Sequence, residues 1–488
     1  MKYLLFLLLL VALSCSAPPH LTILYFNDAH EIAPVTDNLG QRGGVARLQT
    51  IVDAARKNNP HTMVIFGGDL ASGTLFGGFY RGLPIVDAFN RIPVDVANLG
   101  QHDFDFGADV TRGLIDASNF QWFTSNLRER DGSPFHDLPA VLRYAVAGFQ
   151  LGLLGLTDAM DTTTCDDVEQ MDLLAATAEA LSELENVDVI IAVTQTTPAR
   201  DEQLLLAFPQ IAAILSEERS ENRTSILYVG DRPILSPCGN MGSVARLDIS
   251  RRDGRIFLST AAIAVDSTVA EDPALAALQK QYQDSLEQKL NAVIATSAAS
   301  LDAGIDSDMR CRWGETTIGN LVADAFRHYH AADVAVINGG GLRASIPVGA
   351  VTTREVLAAL PFGNKVPLVT MTGRALWQMF EHGLSEVENS GGQFLQISGG
   401  SYSYDWSAPA GARLLTLQIN GEPLDVEKRY QLALPSYILL GGDDFDFRQA
   451  DVRVPAHRAP TDVAVVRDFL MGRELHPALE GRIIVVRQ

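Results

Sequence analysis

The 488-residue sequence predicts an α/β protein of two domains joined by a helix. Its first half alternates short apolar runs with amphipathic segments, as expected for strands and helices in a layered α/β domain. Residues 272–292 are rich in helix-forming residues and polar on one side, which is typical of a helix between two domains. From about residue 301 onward a second α/β pattern runs to the end. With 47% hydrophobic and 20% charged residues, the composition is that of a globular protein.

Alternation in the first half predicts the individual elements. The predicted strands are 21–26, 62–66, 94–99, 151–156 and 187–193, and the predicted helices are 45–57, 84–90 and 173–185. Polar residues gather directly after the first three of these strands. Because sites in α/β folds lie at the carboxyl ends of strands, the sequence predicts a functional site at this edge.

Four regions follow from these patterns. Residues 1–17 are a predicted signal sequence, 20–270 the first α/β domain, 271–295 the linking helix, and 296–488 a smaller second α/β domain. The linking helix is expected to begin at Pro273, because proline is favoured in the first turn of a helix.

The N-terminus predicts export. Lys2 is followed by about ten apolar residues over 4–13, too short a run to span a bilayer but typical of a signal sequence. The ending Ala12-Leu13-Ser14-Cys15 resembles an imperfect bacterial lipobox, in which Cys15 becomes the lipidated first residue. The alternative is cleavage after Ala17. We expect a protein of the bacterial periplasm or cell envelope, attached to the membrane only through a lipid anchor.

Net charge and cysteine count argue against a nucleic-acid-binding protein and against a thiolate zinc protein. A formal charge of −21 repels nucleic-acid polymers, so an anionic ligand requires a local positive site. Besides Cys15 the chain has Cys165, Cys238 and Cys311, which allow at most one internal disulfide without indicating which. No Cys-x-x-Cys pair is present, so the sequence does not predict a thiolate zinc site.

Three strand-end motifs carry metal-binding side chains. Asp28 and His30 lie two residues apart after the first strand, Asp69 follows two glycines after the next, and His102 and Asp105 follow the third. Divalent metals favour carboxylate and imidazole ligands, and a two-metal site uses a carboxylate that binds both ions. The spacing of His102 and Asp105 allows the carboxylate to orient the imidazole. Three such motifs in order predict a metal centre.

This order resembles the 5′-nucleotidase family of metallophosphoesterases, which carries Asn-Asp-x-His, Gly-Asp and Gly-Asn-His-Glu-Phe-Asp-x-Gly with similar gaps. The resemblance implies a four-layered calcineurin-like metallophosphoesterase domain, followed by the family's C-terminal substrate-binding domain. It also implies that Asp28 and His30 bind a first metal and that Asp69 bridges to a second. His102 and Asp105 would then form the dyad that stabilises the transferring phosphoryl group.

This sequence departs from the family pattern at the positions that bind the second metal in the family. Gln101 stands where the family has asparagine, Gln195 lies near the place of a family histidine, and Glu218 lies where the family has Gly-His-x-His or Gly-His-x-Gln. No histidine occurs between His136 and His328. The family implies divalent cofactors (Mn²⁺, Mg²⁺, Ca²⁺ or Zn²⁺), and oxygen donors favour the harder ions among these. The second site is therefore either remodelled for a weakly held hard ion or decayed and absent.

The second half matches the family through glycine-rich and arginine-containing segments. Five segments carry this match: Arg310-Cys311-Arg312, Asn338-Gly339-Gly340-Gly341-Leu342-Arg343, Pro361-Phe362-Gly363-Asn364, Gly392-Gln393-Phe394 and Gly441-Gly442-Asp443. By resemblance, Phe362 and Tyr437 sandwich the base, Asp443 accepts from the ribose and Asn338 contacts the base. Phosphate would be held by Arg312 and Arg343, with Arg310 as a third cation.

These features predict an exported 5′-nucleotidase-like phosphoesterase that hydrolyses nucleotide phosphate esters with a metal-activated water. The alternative is a catalytically impaired nucleotide-binding protein that has lost its second metal. The sequence leaves open the base, the number of phosphates and the oligomeric state. Convergence of the amide and carboxylate side chains on Asp69 would favour the enzyme.

Replacing Cys15 tests the predicted anchor. In the Cys15→Ser variant the acylated thiol is gone, so the exported protein is expected to move from the membrane fraction to the soluble fraction. The measurement is fractionation followed by immunoblotting, and Ser16→Ala serves as the matched control that keeps the thiol. A wild-type protein that is fully soluble after export would contradict the lipobox interpretation.

Overall fold

The computed structural model describes residues 20–37, 40–160, 163, 165, 167–305 and 308–486. The chain forms two compact units that divide after Tyr282. This division falls inside a helix over Pro273–Asn291, within the segment predicted to link two domains. The predicted signal sequence, including Cys15, lies outside the described residues.

The first unit alternates strands and helices for most of its length. Its strands are β1 (His20–Phe26), β2 (Val35–Asp37), β3 (Gly40–Arg42), β4 (Thr62–Phe66), β5 (Val96–Asn98), β6 (Gln121–Phe123), β7 (Leu127–Glu129), β8 (Val141–Val146), β9 (Phe149–Thr157), β10 (Val168–Gln170), β11 (Val189–Gln195), β12 (Ile211–Ser216), β13 (Ser225–Val229), β14 (Arg232–Ser236), β15 (Ser243–Arg252) and β16 (Arg255–Ala264). Its helices are α1 (Val45–Asn58), α2 (Leu75–Tyr80), α3 (Leu83–Phe89), α4 (Ala108–Asp116), α5 (Leu173–Glu183) and α6 (Pro198–Ala207), and α7 (Pro273–Asn291) spans the division.

Within the described ranges, two six-stranded sheets pack face to face in this unit. Their strand orders are β16-β15-β1-β4-β5-β6 and β13-β14-β12-β11-β9-β8. The core between them contains Tyr25, Ile191 and Leu215. Helices cover the outer faces: α3 packs Phe89 against Phe66, and α6 packs Leu204 against the second sheet. This helix–sheet–sheet–helix arrangement confirms the predicted four-layered fold.

The carboxyl ends of both sheets meet at one edge of the unit. Strands β1, β4 and β5 run parallel in one sheet, as do β9, β11 and β12 in the other. Tyr25 donates its hydroxyl hydrogen to Ser216 O at 3.0 Å, and Thr157 donates to Leu99 O at 2.6 Å, which joins the strand ends of the two sheets. Residues that follow these strands are thereby brought together.

Strand ends are further tied by the buried Asp201 on α6. Its carboxylate accepts hydrogen bonds from Thr194 and Thr196 at 2.8 Å each, and from Ser216. Burial raises the pKa of Asp201 to about 6, while these hydroxyls act in the opposite direction. The bonds fix the ends of β11 and β12 against α6.

The second unit contains the remaining elements. Its strands are β17 (Val293–Ser297), β18 (Val334–Asn338), β19 (Gly349–Thr352), β20 (Leu368–Thr372), β21 (Leu395–Ser398), β22 (Gly400–Asp405), β23 (Leu414–Ile419), β24 (Glu422–Pro423), β25 (Arg429–Ala433), β26 (Asp451–Val454), β27 (Glu474–Leu475) and β28 (Ile483–Val486). Its helices are α8 (Thr317–His330), α9 (Thr353–Ala359), α10 (Gly373–Gly383), α11 (Ser436–Leu439) and α12 (Asp462–Leu470).

A central sheet separates two apolar cores in the second unit. Its strand order is β21-β18-β25-β20-β26. Side chains of β18 alternate between the cores, because Ala335 and Ile337 pack with Phe326 of α8, whereas Val334 and Val336 pack with the core that contains Phe380 of α10. Period-two alternation of a strand buried on both faces explains its continuous apolar sequence.

Three predicted strands differ from the observed ones by two residues at one or both ends, and one of them, predicted over 151–156, spans Phe149–Thr157. The strand predicted over 187–193 extends over Val189–Gln195, since Thr194 and Gln195 continue the parallel ladder with Leu156 and Thr157. The strand predicted over 94–99 is shorter, Val96–Asn98. Polar residues at a strand end obscure its boundary in the sequence but still pair through their backbones.

Across the described part of the chain, no helix is both long enough and apolar enough to cross a membrane. Cys165, Cys238 and Cys311 are buried with free thiols.

Candidate active site

Strand ends of the two sheets place the candidate residues of the first unit. Asp28 and His30 follow β1, Asp69 follows β4, and His102 lies in a 3-10 turn after β5. From the second sheet, Gln195 ends β11. The His30 and His102 rings meet edge to face with centroids 5.8 Å apart, so the first and third motifs lie side by side as the sequence predicted.

Asp69 lies at the centre of this edge, fully buried and in the left-handed region with φ +66°. Its Oδ1 accepts the backbone N–H of His102 at 2.8 Å. Gly100 makes this approach possible, because a Cβ at Gly100 would lie 2.0 Å from Asp69 Oδ1. The glycine before the turn is thus needed for close contact between the β4 and β5 ends.

Asp103 organises the same loops, and the sequence analysis gave it no role. Its carboxylate accepts backbone N–H groups of Leu70 at 2.8 Å, Gly100 at 2.9 Å and Asp69 at 3.2 Å. Three backbone bonds from two loops hold Asp69 and His102 in register. Only the tertiary structure reveals this function, since an aspartate after a strand is usually a local turn or cap residue.

His102 and Asp105 form the predicted pair. His102 Nδ1 donates to Asp105 Oδ2 at 2.9 Å. This hydrogen bond, with the charges of Asp69 and Asp105, raises the pKa of His102 to about 9 against the opposing effect of burial. At neutral pH the ring is therefore a cation with its Nε2–H free of the Asp105 bond.

Asp28 and His30 are buried beside this pair. Asp28 adopts φ +51°, and its carboxyl is hydrogen-bonded to that of Glu218. Burial, followed by this hydrogen bond and the charge of Glu218, raises the pKa of Asp28 well above its usual value. Burial lowers the pKa of His30 to about 4, so its imidazole is neutral and able to bind a metal. Asn27 Nδ2 also donates to Glu218 Oε2 at 3.4 Å.

Alternation along β11 directs Gln195 inward. Ile191 and Val193 belong to the core between the two sheets, whereas Thr194 donates to Asp201 on the outer side. Residues two apart share a face of a strand, so Gln195 faces the same side as Val193. Its side chain is 1% exposed, and neither Oε1 nor Nε2 has a hydrogen-bond partner among the described residues.

Glu217 is a site residue that the sequence analysis missed. Ser216 donates to Asp201 on the outer side, while Leu215 lies in the inner core, so Glu217 continues the inner face. Gln101 hydrogen-bonds to its carboxyl. Burial, then the charge of Glu218, raises the pKa of Glu217 to about 7. The period-two pattern leading to Leu215 was the signal that could have identified it.

The side chains at this edge include oxygen atoms of the kind that hard divalent cations bind. They do not form a metal site built from histidine and carboxylate ligands alone. Over the described ranges, no three His, Cys, Asp or Glu side chains group in a way that could hold a metal ion. Several buried atoms of metal-donor type nevertheless have no hydrogen-bond partner there: Asp28 Oδ2, His30 Nδ1, Asp69 Oδ2 and Gln195 Oε1. These atoms offer a metal ion a mixed set of carboxylate, amide and imidazole donors.

In the second unit, Asp443 connects the predicted ligand-binding residues. Tyr437 donates its hydroxyl hydrogen to Asp443 Oδ1 at 3.0 Å, and Asn338 Nδ2 donates to Oδ2 at 3.3 Å. His382 Nε2 contacts Asp443 O at 2.8 Å. Gly442 lets the Tyr437 ring lie against the turn, because a Cβ there would fall 2.5 Å from the ring.

Two aromatic rings in this unit are exposed without an aromatic neighbour. Phe362 is 59% and Tyr437 46% exposed, and within the described part of the chain neither packs against another aromatic ring. The Arg343 guanidinium lies over Phe362 at 5.7 Å. Exposed rings beside a cation and a carboxylate suit a flat, anionic ligand.

Arginine side chains of the Arg310-Cys311-Arg312 segment have different surroundings. Arg312 Nη1 donates to Ser390 O at 3.1 Å, while its buried Nε has no partner among described residues. Arg310 Nε donates to Glu315 O at 2.9 Å, and its guanidinium lies 5.6 Å over the Trp313 ring. Arg310 thus has structural contacts, and its role as a third phosphate-binding cation stays a prediction.

Two family matches cover most of the chain. Residues 21–221 match the calcineurin-like phosphoesterase family, and residues 293–449 match the 5′-nucleotidase C-terminal domain family. Together the two matches include the strand-end motifs of the first unit and the aromatic and arginine segments of the second.

Several known proteins are similar to this chain over nearly its whole length. A 5′-nucleotidase from Bos taurus is 27% identical over 96% of this chain and 91% of its own length. A solved structure of a 5′-nucleotidase precursor from Thermus thermophilus has a TM-score of 0.57 and 25% identity, covering 96% of this chain and 99% of that one. The NAD nucleotidase of Haemophilus influenzae shares the fold, with a TM-score of 0.62 and 17% identity over 96% of this chain and 99% of that one. The chain belongs to the 5′-nucleotidase family, with a calcineurin-like metallophosphoesterase domain followed by a 5′-nucleotidase C-terminal domain.

Proposed function

We propose that this protein is an exported phosphoesterase that hydrolyses the phosphate ester of a nucleotide. The observation that carries the proposal is the fixed position of His102. Its Nδ1 is held by Asp105 at 2.9 Å, and its backbone N–H by Asp69 at 2.8 Å. A positively charged imidazole held rigidly among candidate metal ligands suits the stabilisation of a transferring phosphoryl group.

Candidate metal ligands surround this imidazole. Asp28 and His30 would hold a first ion together with Asp69, and the residues proposed for a second ion are Gln101, Gln195 and Glu218. When bound, a divalent ion supplies Lewis-acid charge and lowers the pKa of a coordinated water. The family implies such divalent ions, and the oxygen-rich donor set favours Mg²⁺, Mn²⁺ or Ca²⁺ over Zn²⁺.

His102 would donate its Nε2–H to a phosphoryl oxygen. Asp105 keeps the opposite ring nitrogen protonated and fixes the ring plane, so the donor needs no reorientation during the reaction. The His102 side chain is 42% exposed, so a phosphoryl group can reach it from solvent.

Nucleotide recognition would fall to the second unit. Phe362 and Tyr437 would stack on the base, Asp443 would accept from ribose hydroxyls, and Asn338 would contact the base. Arg343 over Phe362, with Arg312, would bind phosphate. Such a local cluster of arginines allows an anion to bind although the chain has a formal charge of −21.

Export and anchoring are part of the proposal because of the residues before the first strand. The apolar run and Cys15 are typical of a bacterial lipoprotein signal, which would place the enzyme in the periplasm or cell envelope. Extracellular nucleotides would then be its substrates.

A non-catalytic nucleotide-binding protein is the second candidate. It is favoured by one observation: burial, followed by the neighbouring Glu218 carboxyl, raises the pKa of Asp28 well above its usual value, which disfavours the ionised form that binds a metal. In this alternative the aromatic and arginine residues of the second unit bind nucleotide without hydrolysis.

Phosphate release separates the two candidates. We expect the purified mature protein to release phosphate from at least one nucleoside monophosphate in a panel, with Mg²⁺, Mn²⁺, Ca²⁺ and Co²⁺ tested in turn. His102→Ala should lower kcat by about 100- to 1,000-fold with little change in KM, since a donor to the transition state is lost. His61→Ala, an exposed histidine outside the site, is the matched control.

Two outcomes would count against the enzyme. If the wild type binds nucleotides but releases no phosphate with any of the metals, the binding protein is the correct candidate. If phosphate is released and His102→Ala retains the wild-type kcat, His102 does not have the proposed role.

Loss of the Phe362 ring tests nucleotide recognition in either candidate. Base–aromatic stacking contributes about 1–3 kcal/mol per base, so Phe362→Ala should raise the Kd for nucleotide by about five- to 150-fold. Isothermal titration with a nucleoside monophosphate measures this change. Tyr329→Ala removes an equally exposed ring from the same unit and should leave Kd unchanged. An unaltered Kd in Phe362→Ala would remove stacking on Phe362 from the proposal.

A further inference from the structure

Glu217 has a fixed backbone position at the edge where the sheets meet. Its N–H donates to Thr194 O at 2.9 Å, which extends the pairing of β12 with β11 by one residue. Alternation from Leu215 directs its side chain to the inner side, opposite Ser216 and Asp201. The carboxyl is therefore aimed between the two sheets and not toward the outer helices.

Neighbouring groups place the Glu217 carboxyl within the cluster. Gln101 hydrogen-bonds to it, and His102 interacts with it electrostatically. Its negative charge also contributes to the raised pKa values of Asp28 and Asp69. Glu217 thus lies near the candidate ligands from the first sheet.

Glu218 has a different environment. It accepts from Asn27 Nδ2 at 3.4 Å and is hydrogen-bonded to Asp28. These contacts assign Glu218 to the β1 end, where the first ion is expected. Of the two adjacent glutamates, Glu217 is the one bonded to Gln101.

Gln195 supplies an independent indication of a ligand. The side chain is 1% exposed, faces the same inner side, and has neither oxygen nor nitrogen bonded within the described residues. A buried amide left without partners destabilises the fold unless a ligand satisfies it. Asp69 Oδ2 is fully buried and likewise has no bonded partner there. A cation would satisfy both oxygens.

Charged groups near Glu217 differ in sign. The charge of Glu218 raises the pKa of Glu217, whereas His102 lowers it. The Arg219 guanidinium opposes the effect of burial on the pKa of Asp201, which lies on the outer side of the sheet. On the inner side the carboxyl groups of Glu217, Asp69 and Asp28 therefore outnumber the His102 imidazolium.

We propose that Glu217, together with Gln195 and Asp69, binds a hard divalent cation such as Mg²⁺, Mn²⁺ or Ca²⁺, with Gln101 orienting the Glu217 carboxylate. The inference rests on the proposed function in taking a divalent ion as the cofactor. It changes the ligand set proposed above for the second cation: Glu217 takes the place of Glu218, and Gln101 orients a ligand instead of being one. A site of carboxylate and amide oxygens selects hard ions and disfavours softer ones.

Binding of Mn²⁺ to the full mature protein tests the inference without any substrate. Isothermal titration and electron paramagnetic resonance measure affinity and stoichiometry. Glu217→Gln should remove one bound Mn²⁺ or weaken it by at least about ten-fold. Glu202→Gln makes the same change in charge at an exposed position of α6 and should bind Mn²⁺ as the wild type does. Equal Mn²⁺ binding by the wild type and Glu217→Gln would overturn the proposal.

A second variant covers the case in which Glu217→Gln does not fold, which thermal denaturation would reveal. Glu217→His replaces the carboxylate with an imidazole, so the ratio of Co²⁺ affinity to Mg²⁺ affinity should rise at least about ten-fold over the wild type. An unchanged ratio would contradict the assignment of Glu217 as a ligand.

Metal binding and phosphate release distinguish this inference from the proposed function. If Mn²⁺ binding depends on Glu217 but no nucleotide is hydrolysed, the cation site stands and the phosphoesterase does not. If nucleotides are hydrolysed while Mn²⁺ binding is unaffected in both Glu217 variants, the phosphoesterase stands and this ligand assignment is wrong.

Discussion

Burial of several carboxyl groups at the facing edges of two sheets is the constraint on which the first unit depends. Asp69 is fully buried and Asp28 nearly so, yet each keeps one oxygen without a hydrogen-bond partner among the described residues. An ionised carboxylate in such a place is costly unless a cation or donors compensate it. The surrounding structure supplies part of that compensation, because Asp103 fixes the Asp69 loop through three backbone N–H groups and His102 donates its own N–H to Asp69. Asp28 Oδ2 and Asp69 Oδ2 remain without a donor, and a divalent ion would compensate their charge.

The second unit carries exposed aromatic rings beside polar side chains on its surface. Phe362 and Tyr437 are exposed rings beside polar partners, an arrangement that suits a flat ligand with polar groups. Tyr437 and Asn338 both donate to Asp443, so the acceptor proposed for ribose is already oriented. Preorganisation of this kind reduces the entropy lost on binding. In the proposed function, anion binding to this acidic chain would depend on locally placed guanidinium groups, of which Arg343 lies over the Phe362 ring.

Much of the fold and part of the site followed from local pattern. Short apolar runs located the strands, and polar residues after them located Asp28, Asp69 and His102 at one edge. The strand that ends at Gln195 was placed two residues too early, because polar residues there pair through their backbones. Glu217 was missed although alternation from Leu215 indicates its direction. The bonds of Asp103 to two loops, and the stacking of Arg310 on Trp313, depend on tertiary contacts that spacing along the chain does not encode.

The central claim is that the strand ends of the first unit bind divalent cations and that the second unit binds a nucleotide. Anomalous diffraction from crystals of the mature protein soaked with Mn²⁺ and a non-hydrolysable nucleotide analogue tests it most directly. We expect an anomalous peak within coordination distance of Asp69, with a ligand shell that includes Asp28 or Glu217. Clear density for the nucleotide at Phe362 and Tyr437, with no manganese at Asp69 even at millimolar concentration, would contradict the claim and indicate a nucleotide-binding protein.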